Sequence, residues 1–97
     1  MKVYNLTQIK EALKGLDIVP AIEDGFVQYS NGNVVVPPVG ELIFDDPPGD
    51  VHIKYGYIKN DDIYVIKIAS GFFNNAALGL PSSQGMMLAY SQKTGAP

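Results

Sequence analysis

Cysteine and arginine are both missing from these 97 residues, and histidine occurs once, as His52. Without a thiol there is no disulfide framework and no thiolate metal site. That suits a reducing cytoplasm, where the chain is expected to reside. With one imidazole, a metal centre would be mostly carboxylate, and no acids are spaced for it, so no metal is expected. The basic residues are all lysines (Lys2, Lys10, Lys14, Lys54, Lys59, Lys67 and Lys93), and the formal charge is −3. A surface that tracks phosphates needs a dense basic stripe, often with guanidinium forks, so nucleic acid is not an expected partner. No apolar run is long enough to span a membrane. Near the N-terminus, Gln8, Lys10 and Glu11 interrupt what would be the apolar heart of a signal peptide. No G-x-G-x-x-G turn is present to seat a dinucleotide.

What is present favours a folded chain: 46% apolar residues, six tyrosines and four phenylalanines. The length allows one domain with a small core. Val3-Tyr4 reads as a short opening strand. Thr7 offers an N-cap to a helix carrying Ile9, Ala12 and Leu13, which Gly15 ends. Asp17 begins a second helix with Pro20 in its first turn; Ile18, Ile22, Phe26 and Tyr29 share a face, and Gly32 fits the left-handed position after it. Val34–Val36 and Leu42–Phe44 are apolar runs separated by Pro37-Pro38 and Gly40. Asp45–Asp50 reads as a loop. Val51–Ile58 and Ile63–Ala69 read as a hairpin around Asn60-Asp61, with Lys59 and Asp62 as flanking opposite charges. Ser70–Asn75 reads as loop and Gly85–Ser91 as a further strand. The order predicts an α+β fold, two N-terminal helices followed by an antiparallel meander. Lys93-Thr94-Gly95 is a turn that calls for a returning strand, and only Ala96-Pro97 follow. Residues 1–97 are therefore expected to be a partial domain; a frayed terminus is the plainer alternative.

Lys67 is the residue to explain. The run Ile63–Ala69 is otherwise apolar on both faces, and an unpaired ammonium buried there costs several kcal/mol. With Asn60-Asp61 at the tip, Ile58 faces Ile63, Gly56 faces Val65 and Lys54 faces Lys67. Directly opposed like charges are destabilising. His52, Lys54 and Lys67 then share one face with Gly56 as an open floor, and no carboxylate stands among them. Such a cluster suits a small carboxylate or phosphate. Left open beside it is a solvent-facing strip, in which the lysines run past each other into water. A one-residue slip in register would also separate them. Asp45-Asp46 and Asp61-Asp62 fall in turns, where aspartate is favoured for backbone reasons. Ser82 and Ser83 have no histidine placed to activate them, although their hydroxyls could donate to a bound acid.

The stretch Lys67-Ile68-Ala69-Ser70-Gly71-Phe72, Asn74-Asn75, Gly79-Leu80-Pro81-Ser82-Ser83-Gln84-Gly85-Met86-Met87-Leu88 and Lys93-Thr94-Gly95 resembles the ornithine cyclodeaminase/mu-crystallin family. The likeness extends through the opening helices to essentially the whole chain. It implies a homodimeric two-domain parent several times longer, whose outer domain binds substrate and dimerises while a Rossmann domain, absent here, holds NAD(P). It implies ornithine cyclodeamination, alanine dehydrogenation or reduction of ketimines such as pyrroline-2-carboxylate. Lys67 matches the family's active-site lysine, and Ser82 the small hydroxyl residue lining its pocket. One departure is plain: the family's carboxylate-binding arginine, just after a proline before the hairpin, is missing from Pro37-Pro38-Val39-Gly40-Glu41. Lys54 is the candidate substitute, which leaves a ketimine or imino acid as plausible a substrate as ornithine.

The resemblance thus implies an N-terminal piece of an NAD(P)-dependent enzyme that contributes catalytic and substrate-binding Lys67 and substrate-binding Ser82; the hairpin count adds Lys54 and His52 to the substrate-binding set, and the uncovered apolar sheet is expected to make the dimer. No cofactor-binding residue is expected in this chain, and alone it is expected to turn nothing over. The alternative is a stand-alone module of the mu-crystallin type, binding small carboxylates without chemistry.

Overall fold

The computed structural model describes all 97 residues. Helix α1 spans Leu6–Leu13 and is started by Asn5 rather than Thr7. The Asn5 side chain accepts from the Gln8 N–H at 2.9 Å and the Gln8 side chain accepts from the Asn5 N–H at 2.8 Å. That reciprocal pair satisfies two otherwise orphaned donors, which Thr7 could not do without a glutamine or glutamate three residues on. Val3-Tyr4 pairs with no strand. Helix α2 spans Val19–Ser30 with Pro20 in its first turn, and the Asp17 carboxylate accepts from the Val19 N–H at 3.1 Å. Gly32 takes the expected left-handed conformation at φ +75°.

A five-stranded, wholly antiparallel sheet follows. Its spine is β3 (Pro48–Ile58) paired with β4 (Ile63–Phe72), and β4 pairs in turn with β5 (Ser83–Ser91). The free edge of β3 is shared by two strands. Short β1 (Val34–Val35) covers its C-terminal end and β2 (Gly40–Asp45) the rest. Pro37 and Pro38, which offer no N–H to a ladder, break the edge between them. Two helices ahead of an antiparallel sheet make this the α+β arrangement expected.

Several boundaries differ from the sequence reading. Asp45–Asp50 is no loop: Asp45 pairs with Pro48, so only Asp46-Pro47 turns. Proline is tolerated as the first residue of a strand, and Pro48 takes that place. Ser70, Gly71 and Phe72 continue β4 beyond Ala69, and β5 begins at Ser83, two residues early. Between them lies a 3-10 turn, Asn75–Leu78, ended by Gly79 at φ +72°. The β3–β4 hairpin has the predicted register down to Tyr57 opposite Tyr64. Below that, the Gln92 amide donates to both the Ile58 and Ile63 carbonyls, at 2.9 and 2.7 Å, and bridges the strands. Asp62 pairs with Lys93 at 3.1 Å rather than with Lys59. The turn at Lys93–Gly95 does form, and the Ser91 N–H donates to the Ala96 carbonyl at 2.8 Å.

The small core expected from composition is not assembled by these residues. One residue of 97 is buried, Gly49. The rings of Phe44 and Phe72 lie 5.5 Å apart beside it, and a side chain on Gly49 would collide with the Phe72 ring at 2.6 Å. The radius of gyration is 16.0 Å, against about 13 Å for a packed domain of ~100 residues. Of the helices, α2 rests lightly against β3, leaving Phe26 71% and Tyr29 63% exposed. No helix is long and apolar enough to cross a membrane.

Candidate functional site

Side chains alternate across a strand, so the register sorts the sheet into two faces. One face carries a row of Tyr57, Tyr64 and Tyr90, then Tyr55, Ile66 and Leu88, then Ile53, Ile68 and Met86. Tyr64 and Tyr90 stack at 5.2 Å, 15° from parallel. The other face carries Lys54, Lys67 and Met87 in one row, with His52, Ala69 and Gly85 on one side of it and Gly56, Val65 and Ala89 on the other. Lys54 stands directly opposite Lys67, as the hairpin count predicts.

Neither lysine has a carboxylate partner; the ion pairs are Lys14–Glu11, His52–Glu41 and Lys93–Asp62. Both lysines are exposed and both line an open hollow of ≈410 Å³ together with Val34, Val36, Gly56, Ile58, Ile63 and Val65, among others. Two like charges facing each other across a ladder, at one end of an apolar hollow, create a positive spot that a small anion relieves. The exposure of both lysines is equally what the solvent-facing strip predicts.

Three details depart from the sequence reading. His52 shares the lysine face, but its Nε2 lies 2.9 Å from Glu41 Oε2, so the cluster does contain a carboxylate. Glu41 was invisible as a neighbour because its strand attaches through a turn that reads as loop. Gly56 does line the hollow, but it is not open on every side: a Cβ there would lie 2.6 Å from the carbonyl oxygen of Val35, at the end of β1. Ser82 does not line the hollow. It precedes β5, its carbonyl accepting from the Phe72 N–H at 2.9 Å. Extended chain places it roughly 15 Å along the strand from the lysine row. The resemblance alone links Ser82 to Lys67. Sequence reasoning also missed the valines of β1 as a wall; the run Val34-Val35-Val36 before two prolines was the available signal.

All of residues 1–97 match the model of the ornithine cyclodeaminase/mu-crystallin family. The chain belongs to that family. A protein of Sinorhizobium fredii named as a cyclodeaminase is 37% identical over 97 residues, covering 98% of this chain and 29% of its own length. One of Rhizobium meliloti named as a dehydrogenase is 39% identical over 79 residues, covering 81% of this chain and 24% of its own. Among solved structures, an archaeal alanine dehydrogenase dimer with bound NAD superimposes with a TM-score of 0.73 at 27% identity, over 80% of this chain and 23% of that one. The Thermococcus litoralis pyrroline-2-carboxylate reductase, in complex with NADH and L-proline, shares the fold with a TM-score of 0.77 at 23% identity, over 99% of this chain and 27% of its own. The chain thus spans about a quarter of the length of the relatives it matches.

Proposed function

We propose that residues 1–97 are the substrate-binding and dimerising part of an NAD(P)-dependent protein that acts on an amino or imino acid, by cyclodeamination or by ketimine reduction. The observation that carries the reading is the Lys54–Lys67 pair, unpartnered by any acid and set at one end of an apolar hollow. A charge-assisted hydrogen bond from each ammonium holds the substrate carboxylate. Lys67, in the middle of β4, is the catalytic residue. Once the rest of the protein excludes water, its ammonium fixes the charge of an imine or exchanges a proton with its nitrogen.

The antiparallel sheet offers no strand–turn–helix cradle for a pyrophosphate. NAD or NADH is bound in the alanine dehydrogenase and pyrroline-2-carboxylate reductase structures, and the seat for such a cofactor is assigned to residues outside this chain. The chemistry assigned to this chain is confined to holding the acid and its proton. Lys54 takes over from the arginine that the family carries just after a proline before the hairpin; its position opposite Lys67 supports this. The dimer is assigned to the tyrosine face.

The test is the natural protein with NADH and pyrroline-2-carboxylate, followed by nicotinamide absorbance. Lys67→Ala is expected to lower kcat/KM by about two orders of magnitude or more, whereas Lys67→Arg retains affinity for the acid and loses turnover. Activity within twofold of the parent in both variants would refute the role. The isolated 97 residues are expected to give no absorbance loss, and turnover by them would overturn the assignment of the hydride chemistry to residues outside this chain.

A further inference from the structure

The row next to the lysine pair holds the chain's only histidine. His52 lies two residues before Lys54 on the same face of β3, and Glu41 stands directly opposite it on β2. Their side chains meet at 2.9 Å, Nε2 to Oε2. Glu41 has a second cation within reach. Lys54 is its diagonal neighbour across the same ladder, about 7–8 Å away, a span that long side chains cross. One carboxylate therefore stands between two bases, and only one of them loses its charge near neutrality. An imidazole titrates between pH 5 and 8, whereas a lysine ammonium does not.

The remaining charges around His52 stand elsewhere. Asp50, two residues before it on β3, lies on the side away from Lys54, its Oδ1 over Gly71. Asp45 is two rows farther along β2 from Glu41, also away from the lysines. From β4 the facing charge is Lys67 itself, and β5 brings none to this face. Helix α2 also touches β3 and carries Glu23 and Asp24, both exposed and neither ion-paired.

We infer that Glu41 is an internal competitor for the Lys54 ammonium, held off the anion site by protonated His52. The inference rests on the reading of the lysine pair as the carboxylate anchor. While His52 carries its proton, Glu41 is engaged in an ion pair and Lys54 is open to an incoming acid. When the proton leaves, that contact loses its ionic part, and Glu41 turns to Lys54, where the substrate carboxylate must displace it. By linkage, an acid bound at the lysines favours the proton on His52, so binding takes up protons. Affinity for the acid is therefore highest below the imidazole range and falls as pH rises through it.

Pyrrole-2-carboxylate is the probe, because its single negative charge is constant from about pH 5.5 to about pH 8.5. In calorimetric titrations of the natural protein its affinity is expected to fall on the order of tenfold across that range. Proton uptake shows as a binding heat that depends on the buffer. His52→Asn frees Glu41 at every pH, so affinity becomes low and flat; His52→Gln does the same should the first variant not fold. Glu41→Gln keeps the high affinity up to about pH 8.5. The double variant decides. Internal competition predicts that the loss caused by His52→Asn at about pH 6 shrinks to within about twofold once Glu41 is gone. An equal loss in both backgrounds means that the imidazolium acts only through its field, and overturns the inference. A pH-independent affinity in the natural protein overturns it too, and in both cases a dependence on Lys67 leaves the anchor intact. If the acid does not bind, or Lys67→Ala changes nothing, the anchor itself fails and the inference with it.

Discussion

The two faces of the sheet are made by the same strands yet differ in what they ask of a partner. The tyrosine face is continuous and aromatic, and its cross-strand stacking is complete within the chain. It lacks only cover, since rows such as Tyr55–Ile66–Leu88 present apolar area that water disfavours. On the lysine face the acid of the next row, Glu41, is paired with His52, which leaves both ammonium groups without a carboxylate partner. The two lysines oppose each other beside an open hollow of ≈410 Å³. One face is a broad apolar surface and the other carries two opposed lysines. The lesson is that alternation alone lets one set of strands present two chemically different surfaces.

The largest expected effect breaks the lysine face while improving the sheet. Lys54→Glu puts a carboxylate opposite Lys67, supplies the counter-ion from within and occupies the site. Affinity for the acid should fall by about a hundredfold, while the new opposite-charge pair contributes about 0.2–1 kcal/mol of stability. Paired ligand titrations and thermal melts check both halves, and a variant that binds normally removes Lys54 from the anchor.

Ile66→Lys acts on the other face alone. It should shift the monomer–dimer equilibrium of the natural protein toward monomer, by on the order of tenfold or more, without altering carboxylate affinity in the monomer. Sedimentation at several concentrations reads this, and an unchanged dimer moves the interface elsewhere. Gly56→Ala tests the close approach of β1. Its methyl would meet the Val35 carbonyl at 2.6 Å, and the forced shift should cost about 1–3 kcal/mol in chemical unfolding. A neutral result would mean that β1 moves away freely. Glu41→Gln should do least. It removes a pair whose side chains are 38% and 52% exposed, worth about 0–1 kcal/mol, so its melting curve should nearly overlay that of the parent.

The lysine pair was legible in the sequence because a hairpin tip at Asn60-Asp61 fixes every pairing above it, and an ammonium in an apolar run needs a reason. Family membership was legible for the same stretch onward from Lys67. The attachment of β2 was not. Pro47, Pro48 and Gly49 read as loop residues, yet Pro48 opens a strand and Gly49 lies beneath two phenylalanine rings. That error hid the contact between Glu41 and His52. Gly56 was misread in part for a related reason: a glycine in a strand signals close approach, but whether of ligand or backbone depends on where a distant segment passes. Here the segment is Val35-Val36. Ser82 and Lys67 share a motif but not a row, and local spacing carries no information about the length of the strand between them.

The most direct measurement is a crystal structure of the natural protein with L-proline bound. A carboxylate oxygen within about 3.2 Å of Lys67 Nζ, with Lys54 on the same group, is the predicted result. Proline bound elsewhere, with both ammonium groups directed into bulk water, would contradict the assignment of this face.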